Sequence, residues 1–337
     1  MRRIAVTGSI AFDTIMVFPG RFSDHILPDK THLINVAFLV ERMERRRGGT
    51  AANIAYTLAL LGETPLLCAA AGPDFAAYGS ALSAAGVDTS GVLDCPDVAT
   101  AGAFITTDLA DNQITAFYPG AMARATAIDL RALEGISHVV VAPNAPDAMA
   151  AHVEQCAEMG AELAFVPAQQ IPALSEAALR QGLERAWLVT GNDYEWEMIR
   201  ARTAHTAPDL AASGTITAVT LGAEGSVLRR GDEEVHIPAA TPDAVVDPTG
   251  AGDAYVAGLV AALRAGRGLA EAGRVAALAA TYVVERSGTQ EHAYTQAEFA
   301  ARHNALFPTS RLSSATPGAS PGSPPAGPAP PRPTRRP

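Results

Sequence analysis

Residues 247–258 read Asp-Pro-Thr-Gly-Ala-Gly-Asp-Ala-Tyr-Val-Ala-Gly, a glycine-rich turn that runs directly into an amphipathic helix. Gly250, Ala251 and Gly252 carry little or no side chain, so their amides can face an anion at a helix N-terminus, where the dipole also favours negative charge. This makes a phosphate cradle without a lysine, in a chain whose 25 basic residues include a single lysine, Lys30. Asp253 stands at the mouth of the cradle, where a carboxylate can take the proton from a hydroxyl attacking a γ-phosphoryl group. The competing meaning of an aspartate at this place is a helix N-cap.

Other polar strings follow or precede apolar runs. In Arg47-Gly48-Gly49-Thr50-Ala51-Ala52-Asn53, the amide of Asn53 can both donate to and accept from a vicinal diol, and Gly49 lets the diol approach the backbone. An ordinary loop-to-helix junction is the bland reading. Asp13 lies just beyond the first apolar run in Gly8-Ser9-Ile10-Ala11-Phe12-Asp13, where an isolated aspartate would be a turn former. Thr190-Gly-Asn192-Asp-Tyr-Glu195 reads on its own as a helix start with a capping box.

The elements that must position these residues show a regular rhythm. Residues 3–10 form a short β-branched run suited to a buried strand, and 50–62 read as a helix closed by Gly62. Apolar strands at 65–71, 138–142, 162–168, 186–190 and 216–222 alternate with helical patterns near 75–85, 146–159, 174–184 and 193–201. Such alternation predicts an α/β fold, a mostly parallel central sheet with helices on both faces. Segments 14–46 and 97–120 break the rhythm and suggest a small β-sheet lid, with plain loops as the alternative. Residues 1–308 thus read as one domain, and 309–337, rich in Pro, Ser, Gly and Ala, as a disordered tail.

Composition excludes several classes of function. A net charge of −10 argues against a surface built for nucleic-acid phosphates. The three cysteines, Cys68, Cys95 and Cys156, are widely spaced and fit reduced thiols, and the eight histidines show no metal-ligand spacing. No apolar stretch reaches the ~18 residues of a spanning helix. The expectation is a soluble cytoplasmic protein with no tightly bound transition metal and no membrane partner.

The strings at 247–258 and 47–53 resemble the two signatures of the ribokinase (PfkB) family, and the order of the motifs from Gly8 to about Gln290 resembles that family throughout. The resemblance implies a ribokinase-like, Rossmann-like fold and an ATP-dependent kinase. It makes Asp253 the catalytic base and Gly250, Ala251 and Gly252 the anion hole. It places Asp13, Gly49 and Asn53 on ribose hydroxyls, and Asn192 in the phosphate network. Glu195 would hold Mg²⁺ through water. Thr220, Gly222 and Gly225 would lie under the ATP ribose and phosphates, and Gly288 would approach the adenine or a monovalent-cation (K⁺) loop.

Within the family, strings such as VTGSIAFD, FPGRFSDHILP, AFYPGAM, NDYEW and GTQE resemble the actinobacterial-type adenosine kinases. That finer resemblance implies transfer to the 5′-hydroxyl of adenosine, giving AMP. It has Phe104 and Phe117 sandwich the base from the lid, Ser9 nearby and Gln169 and Gln170 approaching from the core. An adenine needs such flat apolar faces and an amide at its edge. Two positions depart from the pattern: Tyr255 stands for the usual Phe, and Val166 for the usual Asp. The run Arg45–Arg46–Arg47 either balances ATP charge or is a solvated loop. A homodimer through the lid, a kinase with another nucleoside or sugar acceptor, and a catalytically silent nucleoside-binding module complete the expectations. Retention of Asp253 together with Asn192 and Glu195 argues against the last.

Overall fold

The computed structural model describes residues 3–26, 35–110, 112–308 and 312. In chain order its strands and α-helices are β1 (Arg3–Thr7), β2 (Ala11–Val17), β3 (Arg42–Gly48), α1 (Thr50–Leu60), β4 (Leu66–Cys68), β5 (Ala70–Ala71), α2 (Ala76–Ala84), β6 (Leu93–Asp94), β7 (Ala101–Thr107) and β8 (Gln113–Tyr118). There follow β9 (Ile136–Val141), α3 (Pro146–Met159), β10 (Glu162–Phe165), α4 (Glu176–Arg185), β11 (Leu188–Asn192), α5 (Asp193–Thr203), α6 (Ala207–Ala212) and β12 (Ile216–Thr220). The last are β13 (Ser226–Arg230), β14 (Glu233–Ile237), α7 (Ala251–Arg264), α8 (Leu269–Val284) and α9 (Gln296–Leu306).

The central sheet has eight strands in the order β14-β13-β12-β11-β10-β9-β1-β4. From β4 to β12 every pairing is parallel. A strand buried on both faces has no need of polar alternation, which is why these segments read as continuous apolar runs. Successive residues serve opposite layers: Val6 and Val140 pack with α1, α7 and α8, while Ala5, Val139 and Val141 pack with α3, α4 and α5. The expected mostly parallel sheet with helices on both faces is therefore present.

The rhythm fails at one edge. β13 and β14 add antiparallel to β12, joined by Gly231-Asp232 with Gly231 at φ 56°. A Gly-Asp pair between two β-rich runs is a hairpin signal, and it lies beyond the last strand that the alternation predicted. The run at 65–71 also divides, because β5 leaves the main sheet to pair with β6.

The second sheet has the order β3-β2-β7-β8. Its strands rise from the C-terminal side of β1, since β2 starts four residues after β1 ends, and β3 returns directly into α1. Its strands fall in and around segments 14–46 and 97–120, beginning at Ala11 rather than 14. Arg45, Arg46 and Arg47 belong to β3, so the basic run is a strand and not a loop.

The expected tail at 309–337 lies outside the described residues except for Leu312, which exchanges two backbone bonds with the Asn304 amide at 3.0 and 2.7 Å and packs on the main core. Among the described residues no helix is long and apolar enough to cross a membrane.

Candidate active site

In open parallel sheets ligands bind outside the carboxyl ends of the strands, where neighbouring crossovers diverge. Here β1 is flanked by β4 and β9, and the loop that leaves β1 carries Gly8 and Ser9. Ser9 is buried, and its Oγ accepts from the Thr50 amide at 3.1 Å, holding the first turn of α1. The backbone at Gly49 has φ +94°, and a Cβ there would come within 2.6 Å of Ser9 O and Ala11 N. Glycine is thus required where β3 crosses the β1–β2 junction. That crossing aims Asn53, on the first turns of α1, at the centre of the site.

Across the site, α7 begins after Gly250, whose φ of +85° makes the sharp entry. Asp253 is the third residue of that helix, and Gly250, not Asp253, is its cap. The Ala251 amide is already bonded to Pro248 O at 3.1 Å, so the expected three-amide anion hole loses that member. The amides of Gly252 and Asp253, in the first turn, have no carbonyl one turn back to accept them. Gly252 is exposed, and a Cβ there would meet nothing within 4 Å.

Asn53 Nδ2 donates to Asp253 Oδ2 at 2.8 Å. The base candidate therefore does no capping; its partner comes from α1, 200 positions earlier in the chain. Burial pushes the Asp253 carboxyl up to about 7, with the Asn53 bond opposing and the nearby Glu195 charge reinforcing the rise. A base whose pKa lies near neutral is matched to its task. Asp13, on β2, is likewise raised by burial, with the Arg46 guanidinium pulling the other way.

Asn192 and Glu195 form a full capping box at the start of α5: Asn192 Oδ1 accepts from the Glu195 amide at 2.7 Å, and Glu195 Oε2 accepts from the Asn192 amide at 2.9 Å. The plain helix-start reading is thus realised, and Glu195 still stands close enough to act on Asp253. Among the described residues no group of three His, Cys, Asp or Glu could cage a metal.

A cavity of about 510 Å³ opens beside the N-terminus of α7. Thr220, Gly222 and Gly225 line it together with Ala251 and Gly252, so the structure joins the 220–225 turn to the cradle. Its inner wall includes Tyr255, whose hydroxyl donates to Ser226 Oγ at 2.8 Å. The extra oxygen of a Tyr in place of Phe has a buried partner, which explains why the departure is tolerated. Val166 is packed into the main core. Asn192 and Gly288 are not among the cavity's lining residues. The Gly288 amide donates to Asp247 Oδ2 at 3.2 Å, and the vacant Cβ position faces Arg46. Gly288 thus sits at the root of the lid, beside Asp247 and Arg46.

The lid residues also need one correction. Asp13, Arg46, Ala103 and Phe117 lie in one row across the four strands, whereas Phe104 lies in the next row with Thr14, Arg45 and Ala116. Successive residues of a strand face opposite sides. Phe117 therefore shares the face of Asp13, Phe104 points the other way, and the two rings of one chain cannot sandwich a base. Arg46, from the Asp13 face, reaches Asp247 at 3.6 Å. Arg45, from the other face, pairs with Asp74 and covers the Phe12 ring. Gln169 and Gln170 sit in a 3₁₀ turn after β10, Gln169 exposed. Sequence reasoning missed Tyr78 and Gln290, both buried behind Asn53.

A parallel sheet with a small sheet over its carboxyl edge, and a carboxylate at a glycine-rich helix start, define a phosphotransferase with a hydroxyl acceptor. The pfkB family carbohydrate kinase model matches residues 4–296, and the chain belongs to that family. It is 31% identical over 294 residues to a nucleoside kinase of Methanothermobacter thermautotrophicus, covering 86% of this chain and 91% of that one. Among solved structures it is similar to the Burkholderia thailandensis nucleoside kinase in complex with inosine, with a TM-score of 0.82, 37% identity and 90% and 98% of the two chains covered. The Methanocaldococcus jannaschii nucleoside kinase also superposes with a TM-score of 0.82, at 27% identity and with 90% and 99% covered.

Proposed function

We propose that the chain is an ATP-dependent nucleoside 5′-kinase that converts adenosine to AMP. The observation that carries the reading is the convergence of three parts at one place. Asp253, held by Asn53, stands in the first turn of α7 next to Ala251 and Gly252, which line the cavity beside that helix. The lid face that carries Phe117 also carries Asp13, whose charge acts with that of Asp253 on Tyr78. The cavity suits the donor's base and ribose, with its phosphates at the first-turn amides of α7. Asp13 and the free hydrogen of Asn53 Nδ2 suit the ribose diol, and Phe117 offers one face to the nucleobase.

In this arrangement the 5′-oxygen attacks the γ-phosphorus of ATP. Its proton passes to the Asp253 carboxylate as the new O–P bond forms, the bond from the γ-phosphorus to its bridging oxygen breaks, and ADP leaves. The Gly252 and Asp253 amides face the transferred charge, and closure of the lid excludes water. Mg²⁺ fits a site without a protein cage, since it keeps waters and takes one or two carboxylates plus substrate phosphates; Glu195 is the side chain to hold one of its waters. When bound with ATP, the ion neutralises charge on the β- and γ-phosphates.

A second acceptor is favoured by one observation: the similar Burkholderia thailandensis nucleoside kinase is a complex with inosine. ADP release from Mg·ATP against adenosine, inosine, guanosine, ribose and fructose 6-phosphate, with products weighed, tests the proposal. Adenosine-dependent ADP with AMP formed is the expected result. Turnover on inosine alone moves the specificity, turnover on a sugar alone overturns the nucleoside reading, and binding without turnover favours a silent module.

The lid face turned away from Asp13 exposes Met43, Phe104, Ile114 and Tyr118. Exposed apolar sheet surface of this kind invites pairing, which supports a homodimer through the lid. Sedimentation at micromolar concentration is expected to give twice the chain mass and, for Phe104→Asp, a shift toward the monomer.

A further inference from the structure

The string Gly288-Thr289-Gln290-Glu291 has no part in the reaction as derived so far, yet it touches both the base network and the root of the lid. Thr289 Oγ1 donates to Arg47 O at 3.0 Å, Glu291 pairs with the Arg47 guanidinium at 3.1 Å, and the Gly288 amide donates to Asp247. Between them Gln290 is 2% exposed. Its Nε2 donates to Asn53 Oδ1 at 2.8 Å and makes a short hydrogen bond to the Tyr78 hydroxyl. Tyr78 in turn donates to Gly48 O at 2.9 Å.

The direction of this chain of bonds is fixed from one end. A backbone carbonyl can only accept, so the Tyr78 proton must lie on Gly48 O. The Tyr78 oxygen is then left as an acceptor, which requires the nitrogen of the Gln290 amide to face it. The second hydrogen of that nitrogen goes to Asn53 Oδ1. With its oxygen so occupied, Asn53 can present only its NH₂ to Asp253. An asparagine free to turn over could instead set its oxygen against the protonated carboxyl, which donates, and so favour the form of Asp253 that cannot act as a base.

We infer that Gln290 is a positioning residue: it fixes the orientation of the Asn53 amide so that Asn53 donates to the base Asp253, and it ties that base to the lid root through Tyr78. The inference rests on the reading of Asp253 as base. Gln290 Oε1 has no protein partner among the described residues, so the side chain is poorly explained as a device for stability alone. The ionisable groups around Asp253 are Glu195 from α5, which raises its pKa, and Tyr78 from α2, itself acted on by Arg47 and Asp13 from the lid strands. Gln290→Leu leaves all four in place.

The test is the pH profile of kcat/KM for wild type, Gln290→Leu and Gln290→Glu, each with its Tm. Loss of a reliable donor raises the pH needed to ionise Asp253. Gln290→Leu is therefore expected to lose about tenfold at pH 6, which corresponds to a rise of one pH unit in the midpoint, and to approach wild type at pH 9. Gln290→Glu cannot donate to Asn53 Oδ1 and turns the Asn53 oxygen toward Asp253, so its midpoint is expected to lie higher still. A loss equal at every pH, or a Gln290→Leu profile that overlays wild type, overturns the inference. Asp253→Asn separates the two claims: if it remains active, the base reading falls, whereas if it is inactive and Gln290→Leu is unshifted, only the positioning role falls. A variant that fails to fold is replaced by Gln290→Met, with the same outcomes.

Discussion

Asp253→Asn is expected to lower kcat by about 10³-fold, within the range that a positioned general base contributes, while the dissociation constant of adenosine stays within about threefold. The asymmetry follows from the division of labour in the site. In the proposed arrangement Asp13, Asn53 and Phe117 face the acceptor, and the asparagine that replaces Asp253 can still accept from Asn53 Nδ2. Rapid-quench kinetics for the chemical step and titration calorimetry for adenosine check the two halves separately. Turnover near the wild-type rate would remove Asp253 from the mechanism.

The same variant carries a pH signature. With its carboxyl pushed up to about 7 by burial, wild-type kcat/KM is expected to rise as pH passes through that value, because the ionised form is the base. The sign for stability is the reverse. The folded state retains a proton that the unfolded chain, with an ordinary aspartate pKa of 3.8, releases between about pH 4 and 7, so wild type loses stability as pH rises through that window. Asparagine has nothing to ionise. Asp253→Asn is therefore expected to have the higher Tm at pH 8, with the gap closing toward pH 4. An active-site charge held against its own solvation is a common source of such a trade between stability and function.

Much of this site was legible in the chain because its parts are local. The glycine-rich turn at 250–252, Asp253 and the Gly49–Asn53 pair are each contained within one strand–turn–helix junction, where spacing alone fixes geometry. The alternation of apolar runs likewise gave the parallel sheet. What could not be read was the phase of the lid and the contacts between distant segments. Phe104 and Phe117 face opposite sides because of the β7–β8 register, which a one-residue slip would have reversed. Gln290 meets Asn53 across 237 positions, a neighbourhood made by the packing of α1 on α7 and by the segment after α8. No local periodicity records that. The capping box at Asn192 and Glu195 shows the converse, since its local meaning is correct and its nearness to Asp253 was invisible.

The second large effect is expected at Gly252. A Cβ there points into open space and the residue is exposed, so Gly252→Ala adds one methyl group and leaves the amide in place. Gly252→Asp sets a carboxylate in the mouth of the cradle, where the donor's phosphates must lie. The aspartate is expected to cost about 10³-fold in kcat/KM for ATP, comparable to losing an oxyanion-hole donor. Alanine is expected to cost no more than about tenfold. The fold should tolerate both, because a negative side chain in the first turn of a helix is worth about 0.3–1 kcal/mol in its favour, offset here by the neighbouring Asp253. Measured together with Tm and with the KM for adenosine, the pair separates the possible roles of the α7 N-terminus. If aspartate leaves turnover intact, no phosphate approaches Gly252 and the cradle must lie elsewhere. If alanine alone abolishes it, the phosphates come into direct contact with the backbone, and a Cβ of any kind is too much. The expected split, a tolerated methyl and an excluded charge, would place the transferred phosphoryl group a hydrogen-bond length from the first-turn amides, within reach of a 5′-hydroxyl deprotonated by Asp253.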